Sequence, residues 1–220
     1  MQARTSGIPN YPEATSYNAD GHYIETREKY VEAKIMQSGI PKRYLACKWD
    51  GLDTSIPAQA ASQYNQARVY TDNLTANMRE GRGLLFRGPV GTMKTSMAVA
   101  VVMEAIRQDR SAMFITMASL LDTIFSLKDI SRDEWAKFET RLRTVKFLLL
   151  DDLGAEYSEG WLQTKVDAIV SERYNAMLPM IITTNLTGEK LAKTYAARIV
   201  DRIQYTSEVI TFTGESLRTR

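Results

Sequence analysis

The sequence predicts an α/β fold built on a parallel sheet of five strands. Five short apolar runs are the predicted strands, and helix-like segments alternate with them: LLFR, AMFIT, KFLLLDD, MIITTN and EVITFT. Strands that are apolar throughout and alternate with helices are typical of a parallel sheet covered on both faces. A chain of 220 residues is long enough to bury such a core without disulfides.

The N-terminal segment is predicted to be an irregular arm followed by a helix. Residues 1 to about 22 are polar, with scattered tyrosines and two prolines. The next segment, YIETREKYVEAKIMQ, places Glu25 and Lys29 four residues apart and its apolar residues on one side, which predicts a helix. Gly39 and Pro41 are expected to end this helix, and IPKRYLACKWDGLD is predicted to be a loop.

A second helix is predicted from Pro57 to Gly81, before the first strand. Proline suits the first turn of a helix, and glycine suits the position just past its end. We therefore divide the chain into residues 1–55, an arm with a helix that is a possible partner-binding segment, and residues 56–220, the main domain. Apolar residues recur at helical spacing in this second helix: Ala67, Tyr70, Leu74 and Met78.

The remaining helices are predicted between the strands, and composition limits the chemistry. The predicted helices are 95–107, 118–128, 133–142 and 161–177. With one histidine, His22 in the polar arm, and one cysteine, Cys47, the sequence supports neither a zinc cluster nor a Ser-His-Asp or Cys-His site. No run reaches 18 apolar residues and no signal-peptide core precedes the arm, which favours a cytoplasmic protein without a membrane span.

A candidate phosphate-binding loop lies between the first strand and a helix. The pattern G-x-x-x-x-G-K-[ST] binds phosphate through backbone N–H groups and the helix N-terminus, and its context is a strand followed by a helix. In this chain Lys94 would reach the β- and γ-phosphates of ATP or ADP, and Thr95 would bind Mg²⁺. The loop consists of Gly88, Pro89, Val90, Gly91, Thr92, Met93, Lys94, Thr95 and Ser96.

Met93 stands where the pattern has glycine. A methionine at positive φ costs about 1 kcal/mol or more, because its Cβ crowds the backbone. Either the loop forms with the side chain pointing away from the phosphates, or the site is weakened, dependent on a partner subunit, or inactive. A third interpretation is a glycine-rich turn with no binding role.

The third strand ends in two carboxylates, Asp151 and Asp152. Ligands of a parallel sheet bind beyond the carboxyl ends of the strands, so these side chains are expected beside Lys94 and Thr95. Asp151 would hold Mg²⁺ through water, and Asp152 would orient or deprotonate the attacking water. The alternative is a solvated strand end followed by a turn at Gly154.

Two further candidate groups follow the fourth strand. Asn185 would contact the γ-phosphate or position the water, unless it caps the next helix. In AARIVDRIQ, Arg198 and Arg202 lie four residues apart on one helix face. Either they belong to a surface helix with an Arg198–Asp201 pair, or one acts as an arginine finger on another subunit's nucleotide. Arg218, in the tail GESLRTR, is expected at a solvated, frayed end.

Together these motifs resemble one family of proteins. GPVGTMKTS, FLLLDDLGAE, IITTNLT, ARIVDRI and GESLR are similar, in order and spacing, to the AAA+ ATPases of the DnaC-type helicase loaders and their IstB-type relatives in transposition. The resemblance covers residues 38 to 220, and its most diagnostic parts are LLLDDLGAE and TTNLT followed by R-x-x-D-R.

The resemblance implies a fold, a cofactor and partners. It implies a three-layer P-loop AAA+ domain with strand order 5-1-4-3-2 and no helical lid, binding ATP with Mg²⁺ between self-associating subunits. Arg198 matches the trans-acting arginine, and Arg202 the second arginine of that motif. Helicase loaders bind single-stranded DNA and deliver a hexameric replicative helicase onto it. The alternatives are a transposition helper of the IstB kind and a degenerate ATPase that serves as an adaptor without hydrolysis.

A DNA-binding surface is predicted around the two helices that follow the second strand. Nucleic acid requires positive charge, although the net charge of the whole chain is only +2. Phe125 and Trp135 either stack on bases or, at helical spacing, belong to the core. The candidate basic residues are Lys128, Arg132, Arg141, Arg143 and Lys146.

Overall fold

The computed structural model describes residues 22–53, 56–154 and 160–218. The irregular arm predicted before residue 22 lies outside these ranges. Among the described residues, none of the helices combines the length and the hydropathy needed to cross a membrane.

The fold is an α/β structure with one parallel sheet of five strands, as predicted. The order is β2-β3-β4-β1-β5, which is the predicted order read from the other edge. All five strands coincide with the predicted apolar runs to within a few residues. They are β1 (Gly83–Arg87), β2 (Ala112–Thr116), β3 (Phe147–Leu153), β4 (Met180–Thr184) and β5 (Ser207–Thr211).

The four helices predicted between the strands are present, and their ends lie within two residues of the predicted ends. The described residues contain two short 3₁₀ helices and ten α-helices. The α-helices are α1 (His22–Gln37), α2 (Trp49–Asp53), α3 (Ala61–Asp72), α4 (Leu74–Arg79), α5 (Lys94–Arg107), α6 (Met117–Ile130), α7 (Arg132–Thr144), α8 (Gly160–Asn175), α9 (Gly188–Thr194) and α10 (Ala197–Thr206).

Two predictions before the sheet were wrong in detail. The segment predicted as a loop contains a 3₁₀ turn at Lys42–Tyr44 and the short helix α2. The single helix predicted up to Gly81 is interrupted between α3 and α4 at Asn73, whose backbone is not helical. The Asn73 side chain donates to the Val69 carbonyl at 2.9 Å, competing with the backbone as asparagine often does.

The core lies in two layers, one on each face of the sheet. The strands alternate their side chains between the layers, so Leu84 and Phe86 face one and Leu85 the other. The apolar helix α5 fills the first layer, where Ile35 and Trp49 from the first 55 residues also pack. The division of the chain at residue 55 stays a prediction.

The sheet brings the candidate motifs to one edge. In the strand order, β4 lies between β3 and β1, and Leu85 of β1 pairs with Ile182 of β4. The carboxyl ends of these three parallel strands therefore point the same way. They deliver the phosphate loop, the two aspartates and Asn185 side by side.

Candidate functional site

The predicted phosphate loop is formed, and α5 begins at Lys94 directly after it. The Gly88 N–H donates to the Thr184 carbonyl at 3.2 Å, which fixes the start of the loop on β4. Thr92 is buried, and its hydroxyl donates to the Pro89 carbonyl at 2.8 Å. The loop therefore has the strand and helix context that the phosphate-binding pattern requires, and its role in binding phosphate stays a prediction.

Met93 takes the left-handed backbone that the pattern assigns to glycine. Its φ is 73° and its ψ is 10°, immediately before the first residue of α5. The side chain is partly buried and packs against the core layer that contains α5. The loop thus forms around a methionine, and the effect of Met93 on nucleotide binding stays a prediction.

Met93→Gly is expected to change stability by no more than about 1 kcal/mol. Glycine removes roughly 1 kcal/mol of strain at positive φ. Against this, it loses the contacts of a partly buried methionine, about 1 to 2 kcal/mol. Because the loop backbone is already in place, the affinity for Mg-ATP should change less than about threefold, since backbone N–H groups make the phosphate contacts. Urea unfolding and calorimetric titration measure the two quantities.

The control for Met93→Gly is Met93→Val. A β-branched side chain is a genuine outlier at positive φ, so this variant should be destabilised by about 1 to 3 kcal/mol. A tenfold or greater gain in ATP affinity in Met93→Gly would contradict the prediction, because it would show that the methionine distorts the loop.

The Lys94 side chain is buried, and its ammonium group contacts the backbone at the start of the loop. Its Nζ donates to the carbonyl of Gly88 at 2.9 Å, to that of Pro89 at 2.6 Å and to Asn185 Oδ1 at 2.8 Å. Burial lowers the pKa of the ammonium, and the carboxylates of Asp152 and Asp151 oppose that shift. The site thus holds a poorly hydrated cation where phosphate oxygens are expected.

Asp151 is buried, so the solvated strand end proposed as an alternative is wrong for this residue. Its Oδ1 accepts from the hydroxyl of Thr95 at 2.9 Å and from that of Thr183 at 2.6 Å. Burial raises the pKa of the carboxyl, and the two hydroxyls oppose the shift. The structure thus places both predicted magnesium ligands, Thr95 and Asp151, within hydrogen-bond distance.

The oxygen atoms present fit Mg²⁺. Hydroxyl and carboxylate oxygens are hard donors, and Mg²⁺ usually takes one or two carboxylates and completes its shell with water and substrate phosphates. Among the described residues no group of three or more His, Cys, Asp or Glu forms an all-protein metal cage. Thr95 and Asp151 would hold the ion.

Asp152 and Asn185 form the third part of the site. Asn185 Nδ2 donates to Asp152 Oδ1 at 3.2 Å while its Oδ1 accepts from Lys94. The Asp152 backbone has a φ of 58°, and its N–H donates to the Thr183 hydroxyl. Asn185 does not cap the next helix, because Thr187 is the N-cap of α9. The interpretation of Asn185 as a helix cap is therefore wrong. Its side-chain amide instead connects the Lys94 ammonium to the Asp152 carboxylate.

Arg198 and Arg202 do not line this site within their own chain. The guanidinium of Arg198 pairs with Asp167 of α8, with Nε 3.0 Å from Oδ2. The Arg198–Asp201 surface pair is therefore not the contact that the structure shows. Arg202 lies 3.8 Å from the same carboxylate, and its guanidinium stacks 5.5 Å from the centre of the Tyr174 ring.

The C-terminal segment closes over the phosphate loop, which the sequence did not indicate. The Leu217 N–H donates to the Gly91 carbonyl at 2.9 Å. Gly91 has a φ of 82°, and a Cβ there would lie 2.1 Å from the Ser216 hydroxyl oxygen. Arg218, predicted to lie at a frayed end, lines the same cleft as Lys94. The motif GESLR entered the sequence analysis only through the family resemblance, because a short polar tail has no periodicity that points to a site.

These groups surround a cleft of about 610 Å³. One wall comes from the residues that precede α3 and includes Arg43, Tyr44 and Pro57. The floor is the phosphate loop from Val90 to Ser96, and Asp152, Asn185, Leu217 and Arg218 complete the lining. The size suits a nucleotide-sized ligand.

The predicted basic patch is less uniform than expected. Arg143 is half-buried and pairs with Glu139 at 2.7 Å and with Glu172 at 2.8 Å, so its charge is neutralised locally. Arg141 is exposed and donates to the Gln37 carbonyl at 2.6 Å. Arg132 and Lys146 are exposed, whereas the Lys128 side chain lies outside those that the structure describes. Trp135 packs on Phe138 at 5.9 Å between ring centres, and Phe125 is 57% exposed.

The chain is similar in sequence and in structure to known proteins. Residues 56–220 match the family described as IstB-like ATP binding protein. The chain is 24% identical over 200 residues to the replicative helicase loader DnaC of Escherichia coli K12, covering 89% of this chain and 79% of that protein. It is 28% identical over 221 residues to the replicative helicase loader DnaI of Bacillus subtilis 168, covering 90% and 69%. The crystal structure of the DnaC helicase loader superposes with a TM-score of 0.70 at 28% identity, covering 79% of this chain and all of that one.

Proposed function

This chain belongs to the IstB-like ATP-binding protein family, an AAA+ P-loop family, and from that premise we propose that it is an ATP-dependent loader of a hexameric replicative helicase. One observation carries the choice of partner. The similarity to two replicative helicase loaders extends over about nine tenths of this chain, which is more than residues 56–220 and so includes part of the segment before residue 56. We also propose that the protein acts in the cytoplasm.

The proposed cofactor is ATP with Mg²⁺, bound in the cleft. The buried Lys94 ammonium and the loop N–H groups would bind the β- and γ-phosphates. Thr95 and Asp151 would hold the metal, which supplies positive charge against the triphosphate. Asp152 is half-exposed at the cleft and bonded to Asn185, so it is suited to orient the attacking water. Lys94, Asp152 and Asn185 thus occupy three adjacent strand ends.

We propose that hydrolysis is completed between subunits. Among the described residues lining the cleft, the cations are Arg43, Lys94 and Arg218; Arg198 and Arg202 are absent from it. An arginine on an exposed helix face reaches a γ-phosphate only if that nucleotide is bound by a neighbouring copy. ATP at such an interface favours the assembled state through its higher affinity for that state, and hydrolysis releases the assembly.

We propose that the assembly holds single-stranded DNA through the exposed face of α7. Arg132 lies at the start of this helix, and Lys137 lies further along it; both are exposed. Charged contacts of this kind recognise the phosphate backbone without reading its sequence.

The proposal is tested by reconstitution with the replicative helicase of the same bacterium, or of the host if the chain is encoded by a phage. The chain should co-elute with the hexamer in the presence of Mg-ATPγS, and adding ATP should leave the helicase on circular single-stranded DNA. Omitting the chain, or replacing ATP with ADP, should leave the DNA free of helicase.

Two other results would contradict the loader assignment. No helicase binding together with an extended footprint on double-stranded DNA would favour a transposition helper. Helicase binding that is the same with and without nucleotide, in a chain that binds no ATP, would favour an adaptor without hydrolysis.

A further inference from the structure

Two helices of this chain form a matched polar and aromatic seam. Each contributes residues at spacings of four and three, which lie on one helix face. The first residues of the two sets pair with each other, and so do the second and the third. The sets are Asp167, Ser171 and Tyr174 on α8, and Arg198, Arg202 and Tyr205 on α10.

Asp167 lies within 4 Å of three other residues of the seam: Arg198, Ser171 and Arg202. Its side chain is only 14% exposed, while that of Arg198 is 67% exposed. One oxygen, Oδ2, accepts from Nε and Nη2 of Arg198, and the other accepts from the Ser171 hydroxyl at 3.1 Å. The Arg198 hydrogen bond holds the pKa of the Asp167 carboxyl below its ordinary value. The carboxylate is therefore ionised and fixed from both sides.

The contact with Asp167 orients Arg198 and engages one edge of its guanidinium. Asp167 engages the Nε and Nη2 edge of the guanidinium, so the Nη1 group is not among the atoms that it holds. Arg202 is held in the same way, by the Ser171 hydroxyl and by the Tyr174 ring. A long exposed arginine has many rotamers, and a planar guanidinium fixed along one edge loses less freedom when its other edge binds an oxyanion.

We propose that Asp167 is a positioning residue that pre-orients Arg198 for contact with the γ-phosphate held by a neighbouring copy of this chain. The proposal rests on the function proposed above. Asp167 itself touches neither nucleotide nor metal in its own subunit, because it does not line the cleft. Its effect is therefore expected on turnover and assembly and not on the binding of ATP to a single subunit.

The test compares Asp167→Ala, Asp167→Asn, Asp201→Ala and Arg198→Ala. Asp167→Ala should lower kcat in the assembled protein by about tenfold, as loss of a residue that orients a functional group commonly does. Asp167→Asn keeps an oxygen acceptor and should fall between wild type and Asp167→Ala. The ATP affinity of dilute monomer should stay within about twofold in every variant, because Arg198 acts on another subunit.

Asp201→Ala is the matched control, because it removes an exposed carboxylate from α10, and the contact that Arg198 makes is with Asp167 and not with Asp201. It should retain kcat within about threefold. A kcat in Asp167→Ala equal to that of wild type would overturn the proposal. A higher kcat would also overturn it, because it would show that Asp167 restrains the arginine. Equal losses in Asp167→Ala and Asp201→Ala would overturn it as well, since both would then reflect the removal of a negative charge near α10.

A second measurement does not depend on ATPase activity. In the isolated protein, the Nε–H NMR signal of Arg198 should show slow exchange and restricted motion, and Asp167→Ala should abolish both. A signal that is already averaged in wild type would overturn the positioning role whatever the enzyme does. An ordered Arg198 in a protein that neither assembles with nucleotide nor binds helicase would instead refute the proposed function alone.

Discussion

Lys94→Ala is expected to weaken the affinity for Mg-ATP by about 30-fold to 1000-fold and to abolish nucleotide-dependent assembly. The Lys94 ammonium is buried at the loop, and its present acceptors are two loop carbonyls and the Asn185 amide oxygen. Charge-assisted hydrogen bonds to phosphate in such a site contribute about 2 to 4 kcal/mol, which corresponds to that range of affinity.

The removal of this charge also affects the acids beside it. Lys94 stabilises the ionised form of Asp151, whose pKa is already raised by burial. Without the ammonium, burial and the neighbouring Asp152 carboxylate, which both raise the pKa of Asp151, are opposed by the two hydroxyls alone. The variant therefore loses a phosphate ligand and weakens the proposed metal ligand at once.

Calorimetric titration with Mg-ATPγS and sedimentation velocity measure the two effects of Lys94→Ala. Lys94→Met is the informative companion, because it keeps the stem of the side chain and should lose affinity to the same extent. Lys190→Ala, an exposed lysine of α9 that does not line the cleft, should bind as wild type does. Unchanged affinity in Lys94→Ala would refute the assignment of residues 88–96 to phosphate binding.

The fold could be predicted because its signals are local. Each strand is a continuous apolar run, and such runs alternating with helices have few solutions other than a parallel sheet. Placing Lys94, Asp151 and Asn185 together then followed from one rule, that parallel strands share a carboxyl edge. The strand order needed more than local signals; it came from the family resemblance and agrees with the observed β2-β3-β4-β1-β5.

Two of the features that the sequence failed to indicate depend on long-range partners. Asp167 lies in a helix of mixed composition and pairs with an arginine 31 residues away. Arg218 sits in a short polar tail, and only its packing on the phosphate loop shows that it lines the cleft. The break at Asn73 was missed for a local reason. Asparagine is tolerated in helices, and the sequence does not show whether its side chain will compete with the backbone for the Val69 carbonyl.

Arg173 is the most consequential residue that the sequence analysis missed. It lies in α8 among polar neighbours and was not singled out, yet it is completely buried. Its Nη1 donates to the carbonyls of Leu142 and Val145, both at 2.9 Å, and its Nη2 to those of Pro179 at 2.9 Å and Lys146 at 3.4 Å. Burial lowers the pKa of the guanidinium to about 9, which leaves it charged at neutral pH.

Arg173→Met is expected to destabilise the protein by about 3 to 5 kcal/mol, the cost of leaving buried polar partners unpaired. The four carbonyls belong to the end of α7 and to the segments that enter β3 and β4, so one side chain ties three elements together. Replacing a buried ion pair with apolar groups is often harmless when both partners are replaced. Here the acceptors are backbone carbonyls that no substitution can remove.

Urea denaturation of Arg173→Met measures this cost, and thermal unfolding should show a Tm lower by about 10 °C for a chain of this size. The matched control is Arg143→Met, which removes the same side chain nearby. Arg143 is half-buried, and its partners are the partly exposed side chains of Glu139 and Glu172, which water can still solvate. Its loss should therefore cost about 1 kcal/mol or less of stability. If the two variants lose equal stability, the four carbonyls must find water or new partners when the guanidinium is absent, and Arg173 would then be a space-filling residue whose hydrogen bonds add little to the fold.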